Sequence, residues 1–99
     1  MGVGNALFEK VIIQEGQVFN PTYESYRIPT SLDLPRNVET LFVEAKHPEG
    51  PYGAKGMAEP AIAPTAAAIA NAVFDATGKR IKETPLTPEK IQSALQKDE

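Results

Sequence analysis

Gly53-Ala54-Lys55-Gly56-Met57-Ala58-Glu59-Pro60 runs directly into Ala61-Ile62-Ala63-Pro64-Thr65-Ala66-Ala67-Ala68-Ile69-Ala70-Asn71-Ala72-Val73-Phe74-Asp75-Ala76-Thr77-Gly78, and the reading of this stretch decides the fold. In its second half Ile62, Ala66, Ile69, Val73 and Ala76 recur at i, i+4 and i+7, widened by Ala67, Ala70 and Phe74. The spacing predicts a helix over 61–77. Pro64 suits the first turn, where a missing N–H costs nothing, and Gly78 suits the left-handed position after the last turn. Alanine surrounds the helix on every side, so neighbours can approach closely and a place inside an assembly is expected.

Upstream, residues 47–60 are dense in glycine and proline and predict an irregular loop. Before it, Leu41, Val43 and Ala45 alternate with Thr40, Phe42 and Glu44, predicting a strand over 38–45 covered on both faces. Residues 20–36 read as loop, with Pro21, Pro29 and Pro35 fixing φ and Tyr23 and Tyr26 as anchors. Val11-Ile12-Ile13 and Val18-Phe19, joined across Glu15-Gly16, predict a hairpin that Asn20-Pro21 ends. Gly2 and Gly4 begin a free-standing helix poorly, and make better sense where a helix enters close-packed surroundings or is already under way. Downstream, Thr87 as N-cap, Pro88 at the first helical position and Glu89 at the positive end open a short helix whose apolar face is Ile91, Ala94 and Leu95. Leu86 is placed to staple onto Ile91, and the polar tail 96–99 is expected to fray. Together these elements predict an α+β fold: a small hairpin, a further strand, one long alanine-rich helix and a short C-terminal helix.

The chain has 99 residues, no cysteine, one histidine, nine prolines and a net charge of −3. The length predicts one small domain or a piece of a larger one. Absence of cysteine excludes disulfides, a thiolate nucleophile and a Cys-ligated cluster or zinc in this chain. The acidic balance argues against a nucleic-acid or polybasic membrane partner, and no apolar run reaches the ~18 residues of a membrane span. No charged-then-apolar leader opens the sequence, and the cytoplasm is the expected compartment.

The glycine-rich loop 50–60 is the segment with the makings of a site. Gly53 and Gly56 leave N–H groups bare enough to cradle an anion or oxo group, and the loop runs toward a helix start. It matches neither a P-loop nor G-x-G-x-x-G, and an ordinary connection remains the alternative. Glu59, between Ala58 and Pro60, has two readings: a general base in a dry pocket, or a carboxylate serving the helix dipole. His47 has no second ligand at metal spacing and reads as exposed.

Gly53 to Pro60, the run 66–78, Leu86-Thr87-Pro88-Glu89-Lys90, the opening Gly2-Val3-Gly4-Asn5-Ala6-Leu7-Phe8-Glu9 and the stretch from Asn20-Pro21 through Tyr26-Arg27-Ile28-Pro29-Thr30 together resemble, in order, the C-terminal end of the molybdenum-binding large subunit of the molybdenum hydroxylases. This is the xanthine dehydrogenase, aldehyde oxidoreductase and carbon monoxide dehydrogenase family. The resemblance covers essentially all of the chain as a single segment, 1–99. It implies a molybdopterin cofactor, in bacteria often the cytosine dinucleotide, lined by Lys55, Gly56, Met57 and Ala58. It implies Glu59 as the general base that takes a proton from the hydroxyl attacking a small-molecule substrate, an aldehyde, N-heterocycle or similar, with water as the oxygen source. Implied partners are the remainder of the molybdenum-binding subunit and iron–sulfur and FAD subunits. The family's loop has glycine where Ala58 stands, and glutamine is common where Met1 stands. Because the family's subunit is several times longer, a C-terminal fragment, a split subunit or a gene remnant is expected. Such a chain should hold no cofactor firmly and turn over nothing alone; the alternative is a non-catalytic assembly or interaction domain. Its unpartnered apolar faces should favour self-association.

Overall fold

A computed structural model of the chain describes residues 1–96; the tail residues 97–99, expected to fray, lie outside the described residues. The architecture is helix-rich with one small sheet. Helix α1 (Gly2–Leu7) is followed by a hairpin of β1 (Ile13–Gln14) and β2 (Gln17–Val18), then by α2 (Ala58–Ile62), α3 (Thr65–Thr77) and α4 (Pro88–Gln96).

The glycines of α1 are there for packing. A Cβ on Gly2 would lie 2.5–2.8 Å from the Oγ1, Cβ and Cγ2 atoms of Thr65, so α1 and α3 approach closely only because position 2 has no side chain. The half-buried positions of α2 and α3 are Ile62, Thr65, Ala66, Ile69, Ala70, Val73 and Thr77; of the predicted stripe Ala67, Phe74 and Ala76 are exposed instead, and Thr65 and Thr77 join it. Ala6 is fully buried, and its carbonyl accepts the N–H of Leu86 at 2.7 Å; Leu86 itself is 2% exposed. Ala6, Pro85 and Leu86 are the buried apolar side chains among the described residues, and they join both ends of the segment.

The hairpin forms where predicted. Ile13 pairs with Val18 and Gln14 with Gln17, and Glu15 and Gly16 both take positive φ (51° and 79°), the left-handed pair that matches strand twist. Asn20, buried, closes its base: Ile12 N–H donates to Asn20 Oδ1 at 2.8 Å, and Asn20 Nδ2 donates to the Lys10 carbonyl at 2.7 Å. Tyr26 anchors the following loop by donating its hydroxyl to Glu9 Oε2 at 2.8 Å, whereas Tyr23, 86% exposed, anchors nothing.

Two expectations are corrected. The helix expected over 61–77 is two helices, because Pro64 has no N–H to continue the ladder; the first begins at Ala58 and the second at Thr65. Gly78 closes α3 as expected, at φ 70°, donating to the Phe74 carbonyl at 2.7 Å, and the turn folds Arg80 back over the Phe74 ring at 4.0 Å. The strand expected over 38–45 is absent: these residues are exposed and irregular. A strand needs a paired edge, and no neighbouring strand is offered to this run.

Much of the chain is uncovered. Its accessible surface is 8817 Å², against about 5,500 Å² for a compact monomer of the same mass. Its radius of gyration is 17.6 Å, against about 13 Å.

Gly2→Ala is expected to push α1 away from Thr65 and cost about 1–3 kcal/mol, read as a lower urea midpoint of the helical circular dichroism signal. At the other end, the Glu89 carboxyl is held below its ordinary value by its own backbone N–H and then by the Thr87 hydroxyl. A depressed carboxylate stabilises the fold above its unfolded value, and that contribution disappears as pH falls through the folded one. The first turn of α4 should therefore loosen in acid, on the low side of 4.5, as followed by the amide shifts of Glu89 and Lys90; shifts that stay flat through that range would exclude the cap.

Candidate functional site

The glycine-rich segment is shaped by three successive turns. Gly50 N–H donates to the His47 carbonyl at 3.3 Å, Gly53 N–H to Gly50 at 3.0 Å and Ala54 N–H to Pro51 at 3.0 Å. Tyr52 sits at φ 54°, ψ 21°, left-handed backbone that costs a non-glycine residue roughly 1–2 kcal/mol, and its ring is fully exposed. Gly53 shares that half of conformational space at φ 79°. Gly50 is required for another reason: a Cβ there would collide with the Ala54 carbonyl oxygen.

These turns bring residues 52–61 back alongside residues 40–48 and leave an open groove of about 1330 Å³ between them. Lys55, Gly56, Met57 and Ala58, all four residues expected to line a cofactor, lie on its wall. Around Gly56 there is open space, with nothing within 4 Å of where a Cβ would be, so its backbone is approachable. Ala58 is the first residue of α2 and keeps a negative φ, so its methyl group fits a backbone that does not ask for glycine. Glu59 is in the first turn of α2, exposed, and outside the lining of the groove. Its position satisfies the helix-end reading, and the expected dry pocket is not formed by this chain, because nothing in residues 1–96 covers the carboxylate.

The groove also takes in His47, Phe42 and Tyr52. His47 is exposed, as expected. Tyr52 was not legible as a site residue; the signal was Pro51-Tyr52-Gly53, a proline-led turn whose third position normally asks for glycine. Among the described residues no group of three or more His, Asp or Glu side chains can hold a metal ion, so this segment offers an approachable backbone and one lysine, not a ligand set. No helix of the described residues is long and apolar enough to cross a membrane.

No protein-family model matches the chain. It is 50% identical over 93 residues to the xanthine dehydrogenase molybdenum-binding subunit of Escherichia coli O157:H7, covering 92% of this chain and 12% of that protein. It is 36% identical over 98 residues to the aldehyde oxidoreductase molybdenum-binding subunit of Escherichia coli K12, covering 96% of this chain and 13% of that protein. In three dimensions it is similar to a chain of the crystal structure of quinoline 2-oxidoreductase from Pseudomonas putida 86, with a TM-score of 0.79 at 35% identity, over 96% of this chain and 13% of that one. The chain thus spans about an eighth of the length of the proteins it matches.

Tyr52→Gly should relieve the left-handed strain and slow proteolysis of the 47–54 turns; unchanged or faster cleavage would show that the ring stabilises the turn.

Proposed function

Because the chain is a homologous segment of the molybdenum-binding subunits of the xanthine dehydrogenase and aldehyde oxidoreductase family, we propose that it is the C-terminal part of such a subunit and carries the general base of a hydroxylation whose oxygen comes from water. One observation carries the reading. Lys55, Gly56, Met57 and Ala58 share a groove wall, and Glu59 follows them at the start of α2.

The family implies a molybdenum cofactor, and the segment fits the anionic side of such a group. Lys55 supplies a positive charge, and the open backbone at Gly56 supplies N–H donors without a side chain in the way. Molybdopterin, as the cytosine dinucleotide in our reading, would lie against Lys55, Gly56, Met57 and Ala58. When bound, the cofactor supplies a centre able to take two electrons from the substrate. The part of Glu59 is proton transfer: a carboxylate oxygen accepts the proton of the attacking hydroxyl. A carboxylate in water is a weak base, so that role needs the side chain desolvated by another part of the subunit. Alone, the chain leaves Glu59 solvated and should be inactive. Iron–sulfur and flavin partners would receive the electrons, and an aldehyde, N-heterocycle or similar small molecule would be the substrate. The same exposure of Glu59 favours a second reading for the chain by itself, an assembly piece without catalysis.

The test grafts this chain into the Escherichia coli xanthine dehydrogenase subunit in place of the matching stretch. Glu59→Gln should lower turnover by about 10²-fold or more while molybdenum content stays constant. Lys55→Ala should lower molybdenum content. Unchanged turnover in Glu59→Gln removes Glu59 from the mechanism.

A further inference from the structure

Four of the chain's ten Lys and Arg residues meet in one place. Lys79, Arg80 and Lys82, on the segment that follows α3, and Lys90, on α4, line an open cavity of about 600 Å³ between the two. The volume is that of a small-molecule site, and none of the lining residues belongs to the glycine-rich groove. In a chain of net charge −3, such a concentration of positive charge asks for a reason.

Two carboxylates line the same cavity, and neither answers that charge. Glu89 is committed to the end of α4: its own backbone N–H and the Thr87 hydroxyl hold its carboxyl below the ordinary value, and Arg27 adds to the effect. Glu83 is 82% exposed, and its oxygen lies 3.8 Å from Lys90 Nζ, beyond hydrogen-bond distance. Lys90 Nζ is itself buried and has no hydrogen-bond partner among the described residues. An ammonium carries three donors, and burying them without an acceptor is costly. Arg80 is held beside the cavity, its Nη1 donating to Asn71 Oδ1 at 2.8 Å while its guanidinium lies over the Phe74 ring.

We propose that this cavity binds the phosphate group of a small anion, with Lys82, Lys90 and Ser93 as its donors. Ser93 stands three residues after Lys90 on the same face of α4 and lines the cavity with it, while Lys82 stands on the opposite wall. The flexible lysine stem lets the Lys90 ammonium turn from its buried position to an acceptor in the cavity. A phosphate suits this set better than a carboxylate does. It brings a charge of roughly −1.5 to −2, matching the surplus of two cations over carboxylates, and three acceptor oxygens for donors that arrive from two sides. The site does not depend on the functional reading above, since it shares no residue with Lys55, Gly56, Met57, Ala58 or Glu59.

Amide NMR spectra of the full chain, titrated with inorganic phosphate at constant ionic strength and neutral pH, test this. The shifts should saturate in the low millimolar range and be confined to residues 79–83 and 89–94. Lys82→Gln and Lys90→Gln should each weaken binding about 10-fold or more, while Lys10→Gln, at an exposed cation outside the cavity, should leave it unchanged. Lys82 is exposed, so its replacement decides the matter even where Lys90→Gln loosens α4. Ribose 5-phosphate serves as the second probe: binding tighter than that of inorganic phosphate identifies a phosphate ester as the ligand, and equal or weaker binding identifies the free ion, both in support of a phosphate site. Shifts that never saturate, that chloride reproduces at the same ionic strength, or that Lys10→Gln reduces as much as the cavity variants do, mean an adventitious ion only and overturn the proposal.

Discussion

The approach of α1 to α3, made possible by Gly2 lying against Thr65, holds the described chain together. The buried apolar side chains depend on it. Ala6 is buried because α1 lies along α3, and Leu86 is buried because its N–H finds the Ala6 carbonyl. Through that bond the two ends of the segment meet, and α4 hangs from the same point, its entry tied by the Lys90–Glu83 pair at 3.8 Å. Little else is enclosed, and three buried apolar side chains cannot offset the ordering of nearly a hundred residues at about 1–2 kcal/mol each. An arrangement of this kind persists when further surface is covered, and exposed apolar side chains stand both in the hairpin (Ile13, Val18, Phe19) and in the run 38–45 (Val38, Leu41, Phe42, Val43).

What could be read from residues alone follows how local each signal was. The hairpin at Glu15-Gly16, the left-handed end of α3 at Gly78 and the Thr87 cap of α4 each depend on a few adjacent residues, and all three stand where they were read. Gly2 and Gly4 raised the right question, but answering it needed Thr65, sixty-three positions away. The errors have the same origin. Pro64 was read into the first turn of one long helix, but it stands at the junction, as the residue that precedes α3, because the residues before it fold into a separate helix. The alternation at 38–45 is a statement about two faces and an edge, and neither faces nor edge are completed by this chain.

The site divides in the same way. Glycine, lysine and the helix start at 53–59 were legible because backbone access and charge are properties of the residues themselves. That Lys55, Gly56, Met57 and Ala58 face one groove with residues 40–48 was not, because it depends on the turns at 47–54 and on Tyr52 accepting left-handed backbone. Ala58 suits its own place: at the first position of α2, alanine is a good helix former.

General-base strength, by contrast, is a property of surroundings. A carboxylate gains basicity by losing water, and losing water requires neighbours on all sides. Glu59 has helix on one side and solvent on the others. The residues that would dry it are therefore the same kind of residues that would cover the excess surface and the exposed run at 38–45. If the loop were closed by this chain alone, a desolvated carboxylate would have to be held within a fold that buries three apolar side chains, and the cost of dehydrating the charge would exceed what that fold can supply. In the proposed reading, leaving Glu59 solvated keeps the segment free of that cost, and its basicity would rise only with the contacts that cover it.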